Sequence, residues 1–161
     1  MKRKIFKFTV SMLVLAGSFY SCENDIDMSK IDFSNIENLY KQPLPVIQKC
    51  VEGSWKLQYS RSGYGTGMKI ADTHGAYIHL KSNHITMDTY EITSDSPIRW
   101  KKIDGVMGGS TNGYLLEILN PVMPFGGTLI PVQITNDTLV IWDGLLDNYL
   151  NYYYYAKYKI Q

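Results

Sequence analysis

Three histidines are the first residues to weigh for chemistry, because imidazole is the common metal ligand and proton carrier near neutral pH. His74, His79 and His84 match neither a His-x-His nor a His-Glu-x-x-His spacing. His79 and His84 share the polar face of a hairpin with Asp88, so they read as solvated surface histidines and no metal site is expected. The run Gly63-Tyr64-Gly65-Thr66-Gly67 is not a phosphate cradle. It lacks the Gly-Lys-Ser/Thr ending, and no helix pattern follows to offer its N-terminus to an anion. Its glycines suit a long loop folded tightly at a rim, from which Arg61 and Tyr64 can reach a bound molecule. Ser60, Ser62 and Ser110 sit in no Gly-x-Ser-x-Gly elbow, and Asp88, Glu91, Asp104 and Glu117 form no readable pair. The chain therefore reads as a non-enzyme that needs no cofactor.

Aromatic side chains are the remaining candidates. Thirteen tyrosines and three tryptophans are present, and Tyr152–Tyr155 is an unbroken run. In a strand such a run must put two rings on each face. Matched to Ala156 and Ile160, the expectation is Tyr152, Tyr154 and Tyr158 inward, with Tyr153 and Tyr155 outward beside Lys157 and Lys159. Trp55, Tyr59, Trp100, Tyr114 and Tyr154 would then line an amphipathic interior. The candidate ligand-binding set is Tyr59, Arg61, Tyr64, Trp100, Tyr114 and Tyr154, holding a small apolar or amphipathic molecule. The alternative is that the rings fill a small barrel. The protein would then meet a protein or glycan through exposed Tyr153, Tyr155, Trp142 and its loops.

At the N-terminus, Lys2, Arg3, Lys4 and Lys7 precede an apolar run from Phe8 to Gly17. This is the pattern of a secretory signal peptide, and the run is too short to span a bilayer. The segment Phe19-Tyr20-Ser21-Cys22 resembles the lipobox of bacterial lipoproteins. The acidic flank Glu23, Asp25 and Asp27 resembles surface-export signals of some Gram-negative lipoproteins. The resemblance implies loss of residues 1–21, acylation of Cys22 (palmitate among the chains attached) and anchoring in the outer membrane, at the cell surface or the periplasmic face. Ordinary cleavage near Ala16-Gly17-Ser18 is the alternative. Four of the sixteen basic residues and none of the fifteen acidic ones lie in residues 1–21. The remainder carries a formal charge of −3, which gives nucleic acid no reason to bind. With Cys22 acylated, Cys50 has no intramolecular partner and reads as a small buried hydrophobe.

Residues 22–45 are polar and close on Pro43-Leu44-Pro45, which reads as a flexible tether with a helical turn around Asn35–Tyr40. From Val46 to the end at residue 161, segments rich in Tyr, Ile, Val, Thr and Trp alternate with Gly, Asn, Asp and Pro clusters. Eight strands are expected: Trp55–Ser60, Gly75–Lys81, His84–Tyr90, Ile98–Ile103, Tyr114–Leu119, Thr128–Ile134, Leu139–Trp142 and Tyr152–Ile160. Eight sequential strands with short loops suit an all-β, antiparallel up-and-down barrel, which closes and so removes exposed edges. A β-sandwich is the alternative. A turn at Ser82-Asn83 pairs Leu80 with Ile85 and puts Ile78, Leu80, Ile85 and Met87 inside. Tyr77, His79, Lys81, His84, Thr86 and Asp88 then face water. A turn at Asn136-Asp137 would likewise bring Ile130, Val132, Ile134, Leu139 and Ile141 inside and send Trp142 outward.

Gly53-Ser54-Trp55 follows a short helical turn (Val46–Val51) and opens the first strand. This resembles the Gly-x-Trp signature of lipocalins, in which the Trp packs across the closed end of the barrel. The stretch from Trp55 to Ile160, with its Gly-rich loop and its Asn136–Val140 hairpin, is similar to lipocalin-like domains of small bacterial surface lipoproteins. The resemblance implies a barrel with one open mouth able to hold a small apolar ligand.

Overall fold

The computed structural model describes residues 26–62, 67–72, 75–89, 92–105, 112–121, 127–143 and 151–159. Cys22, Tyr64, His74 and Ser110 lie outside them. The elements are β1 (Asn35–Ile36), α1 (Leu44–Val51), β2 (Gly53–Ser62), β3 (Lys69–Ala71), β4 (Tyr77–Leu80), β5 (His84–Asp88), β6 (Thr93–Ile103), β7 (Gly113–Ile118), β8 (Thr128–Thr135), β9 (Thr138–Asp143) and β10 (Asn151–Lys157). Strands β2, β4, β5, β6, β7, β8, β9 and β10 pair antiparallel in that order, and β10 returns to pair with β2. The fold is a closed, eight-stranded, up-and-down barrel with a short N-terminal helix. Each of the eight expected strands is present. Only β6 is much longer than expected, starting at Thr93, because Ser94, Asp95, Ser96 and Pro97 carry little strand signal.

Both hairpins take the register their turns dictate. Leu80 pairs with Ile85 and Ile78 with Met87, all four at 3% exposure or less. Ile134 pairs with Leu139 across Asn136, whose left-handed φ of 50° makes the tight turn. Beyond that turn β8 is bulged at Val132: Pro131 faces Ile141 while Gln133 faces Val140. An inserted residue flips the faces that follow. Ile130 and Val132 therefore leave the interior and join Val140 on the outside, while Ile134, Leu139 and Ile141 stay in the main core. Trp142 does face outward, yet it is 4% exposed, packed in an outer cluster with Tyr40, Leu115, Ile130 and Tyr152.

A second bulge corrects the tyrosine run. Tyr155 pairs with Leu57 but Tyr154 pairs with Tyr59, so Gln58 is the extra residue. Tyr155 and Tyr153 point inward against the main core, and Tyr152 and Tyr154 point outward, the reverse of the expectation. Tyr158 is also outside, its ring 4.9 Å from that of outward-facing Tyr77. Burial, then the neighbouring Asp143, pushes the Tyr153 hydroxyl above its ordinary value, and burial above all does the same to Tyr155.

One end of the barrel is shut by α1. Pro43 and Pro45 start this helix where a missing N–H costs nothing. Val46, Ile47, Cys50 and Val51 recur at helical spacing and are all buried. Trp55 lies beneath at 0% exposure, and its indole N–H donates to the carbonyl of Val51 at 2.8 Å. Between them Gly53 has φ +133°, and a Cβ there would meet only ordinary contacts, Lys157 Cε at 3.9 Å and Trp55 Nε1 at 4.0 Å, so Gly53→Ala is expected to cost about 1–3 kcal/mol through backbone strain. Urea unfolding measures it. Burial pushes the Cys50 thiol up to about 11, with Lys157 pulling weakly the other way. A thiol about two units high holds roughly 100-fold less thiolate at pH 8. Iodoacetamide should thus label native Cys50 at least that much more slowly than the urea-unfolded chain. The stability this thiol lends is complete below the ordinary thiol pKa, and it is lost as pH rises through about 11.

The segment read as a tether is laid on the barrel from residue 26 onward. β1 pairs with β8, and Asn136 N–H donates to the Ser34 carbonyl. A one-turn 3₁₀ helix, Leu39–Lys41, packs on both β7 and β8. Leu39 is 0% and Tyr40 6% exposed. Ile26, Met28, Ile31, Phe33 and Ile36 pack against the main core. Apolar residues spaced along a polar stretch hid this, because they follow no single period.

Candidate functional site

The six candidate ligand-binding residues do not converge. Trp100 and Tyr114 face inward, half-buried against the main core, with the Trp100 indole nitrogen buried and without a partner. Tyr59, Arg61 and Tyr154 face outward. The rings of Tyr59 and Tyr154 stack at 4.3 Å, 15° from parallel, and Lys69 Nζ sits 4.0 Å above Tyr59 with the Arg61 guanidinium 5.9 Å away. These are cation–π contacts on an outer patch. Tyr64 is outside the described residues. The bulge at Gln58 separates the set, by turning Tyr59 away from the face of Trp55 and Leu57.

Among the described residues, the interior around Trp55 is filled. Side chains lining a void large enough for water would keep accessible surface, yet Trp55, Leu80, Ile85, Leu139, Ile141 and Tyr155 are 0–4% exposed. Towards the far end this changes. Ile70 on β3 pairs with Ser60, which pairs with Tyr153, so Ile70 shares the inward face, and it is 56% exposed. Met68 beside it is 78% exposed.

On the outer face of β2, β4, β5 and β6, side chains cross the strands in rows. One row runs Ser54, His79, Thr86, Asp95; the next runs Lys56, Tyr77, Asp88, Thr93. Cross-strand bonds hold them: Ser54 Oγ and His79 Nδ1 are 2.8 Å apart, Thr86 Oγ1 donates to Asp95 at 3.0 Å and Thr93 Oγ1 donates to Asp88 at 2.9 Å. A groove of about 380 Å³ lies over the Ser54, Tyr77, His79, Thr86, Asp88 and Tyr158 side chains. A second, about 370 Å³, continues from the shared His79 and Thr86 to Lys81, Asn83, His84 and Asp95. Both volumes are in the range of ligand sites.

The hairpin face of Tyr77, His79, Lys81, His84, Thr86 and Asp88 was legible as outward, as found. Ser54, Asp95 and Tyr158, the last expected inward, join this face through pairing between distant strands. The nearest signal was the alternation of Ser54 against Trp55. Among the described residues no group of three or more His, Cys, Asp or Glu side chains could hold a metal, and no helix is long and apolar enough to cross a membrane. The Ser54–His79 pair has no carboxylate on it among the described hydrogen bonds, so the arrangement is one of ordered donors and acceptors on a rigid sheet.

No family model, curated protein or solved structure matches the chain.

Proposed function

We propose that this chain is an exported lipoprotein, held at the outer membrane by lipid on Cys22, whose barrel is a non-catalytic binding module working through its outer face. One observation carries the choice of face. An eight-stranded barrel can hold one small ligand, but here, among the described residues, the axis around Trp55 is packed with side chains at 0–4% exposure, while grooves of ligand size lie outside. The basic, apolar and Cys22 pattern of the first residues supports export and anchoring. The helix-capped barrel with Trp55 at its closed end supports kinship with lipocalin-like domains.

A second reading has its own observation: inward-facing Ile70 and exposed Met68 leave apolar surface at the far end, where a small amphipathic molecule would fit beside Tyr153. Native mass spectrometry of the chain purified from its host without detergent separates the two. A bare protein mass or a carbohydrate adduct supports the outer-face reading, and a lipid or other amphipathic mass lost on denaturation establishes the carrier. The anchor has a separate test. Cells fed an alkyne analogue of palmitate should label the wild-type chain, and Cys22→Ser should abolish both the label and membrane retention.

A further inference from the structure

We propose, on the outer-face reading above, that the double groove over β4 and β5 binds a neutral carbohydrate chain. A sugar ring offers an apolar C–H face and an edge of hydroxyls, so its site needs an aromatic wall next to fixed donors and acceptors. Tyr77 and Tyr158 supply the wall: their centroids are 4.9 Å apart and their planes meet at 57°, Lys56 Nζ stands 5.5 Å over the Tyr77 ring, and the Tyr158 ring, 40% exposed, is the one offered for stacking. The floor supplies hydrogen bonds. His79 Nε2, one oxygen each of Asp88 and Asp95, and the Asn83 amide all have no protein partner in the hydrogen bonds described. Meanwhile Ser54, Thr93 and Thr86 lock three of these groups from the neighbouring strand. Such locking lowers the ordering cost on binding.

The same features exclude other occupants. Lys81 in the strip and Lys56 beside it balance Asp88 and Asp95, and no Arg lines either groove, so the bidentate fork that selects phosphate or carboxylate groups is missing. A wholly apolar ligand would leave the polar floor unpaired. A peptide adding as a strand needs a free sheet edge, and β4 and β5 are paired on both sides. The two volumes share His79 and Thr86, forming a strip that suits several linked sugars more than a single one.

Affinity electrophoresis of the full chain carrying Cys22→Ser, in gels containing dextran, mannan, xylan, galactan or laminarin, tests this, with polygalacturonate as the charged counterpart. Expected is retardation by at least one neutral polysaccharide, weakened at least 10-fold by Tyr77→Ala, Tyr158→Ala and His79→Ala. Tyr59→Ala, on a different outer patch, should leave it unchanged. Urea midpoints of the variants show that each remains folded, and Tyr158, 40% exposed at the end of β10, is the change least able to disturb the barrel. Retardation by none of the neutral polymers, or by polygalacturonate alone, overturns the proposal. So does retardation that Tyr77→Ala and Tyr158→Ala leave intact. If Tyr59→Ala alone abolishes binding, the groove is wrong while the outer-face reading stands. A lipid or other amphipathic ligand, rather than a carbohydrate, released on denaturation in native mass spectrometry removes the outer-face reading itself.

Discussion

Trp55→Ala is expected to cost about 3–5 kcal/mol, the range for truncating a fully buried large aromatic. The site gives it little room to relax. The ring is 0% exposed beneath α1, in the main core with Val46, Ile47, Cys50 and Val51. It also caps the helix. The last carbonyls of any α-helix lack intrahelical partners, and the Trp55 indole N–H satisfies that of Val51 at 2.8 Å. Trp55→Phe keeps most of the apolar body but leaves that carbonyl unpaired, so it should cost less, about 1–3 kcal/mol. Urea titration followed by far-UV circular dichroism gives both values. Equal costs for the two variants would show that the hydrogen bond, rather than the volume, holds α1 on the barrel. A cost under about 1 kcal/mol for Trp55→Ala would remove the residue from the core it is assigned to.

Removing residues 26–42 is expected to destabilise the domain by about 3–6 kcal/mol, whereas loss of a true tether would change nothing. The estimate counts only Leu39 and Tyr40, each fully buried at roughly 1.5–3 kcal/mol. The geometry says why the barrel needs them. Among the described residues β7 and β8 are joined by two registered pairs, Leu116–Leu129 and Glu117–Thr128, and by the Ile118 N–H donating to the Gly127 carbonyl. Further along β8 the same edge is taken by β1, through Ile36–Ile134 and Asn35–Thr135. The turn Leu39–Lys41 packs on both strands at this seam. Without residues 26–42 the seam opens and leaves unpaired strand edge, an aggregation hazard. Chains starting at residue 26 and at residue 43 should be compared by urea midpoint. Leu39→Ala in the full chain provides the milder version, at about 2–5 kcal/mol. Midpoints agreeing within 0.5 kcal/mol would return the segment to the role of a tether.

The outer groove shows how much of a candidate site a sequence can hold. Tyr77, His79, Thr86 and Asp88 were legible because they belong to one hairpin, where a two-residue turn sets the register and alternation sets the face. Ser54 enters through the β2–β4 pairing, Asp95 through the β5–β6 pairing, and Tyr158 because its N–H donates to the Ser54 carbonyl at 2.8 Å. The inner candidates fared differently. Trp100 and Tyr114 kept the face that alternation with Ile98, Leu116 and Ile118 assigned them, whereas Tyr59 and Tyr154 did not.

What the sequence determined by itself was local: eight strands, their turns, a helical turn before Trp55 and two hairpin registers, all set by residues within a few positions of one another. Tertiary structure decided the rest. Four identical rings in Tyr152–Tyr155 carry no preference for either face, so β10 took its orientation from Leu57 and Tyr59 nearly a hundred residues earlier. The bulges at Gln58 and Val132 adjust the strands as the sheet closes on itself, and each reverses the faces beyond it. Closure likewise left the β7–β8 seam that recruits residues 26–42. These are demands of a ring of paired strands, and no single strand's sequence expresses them.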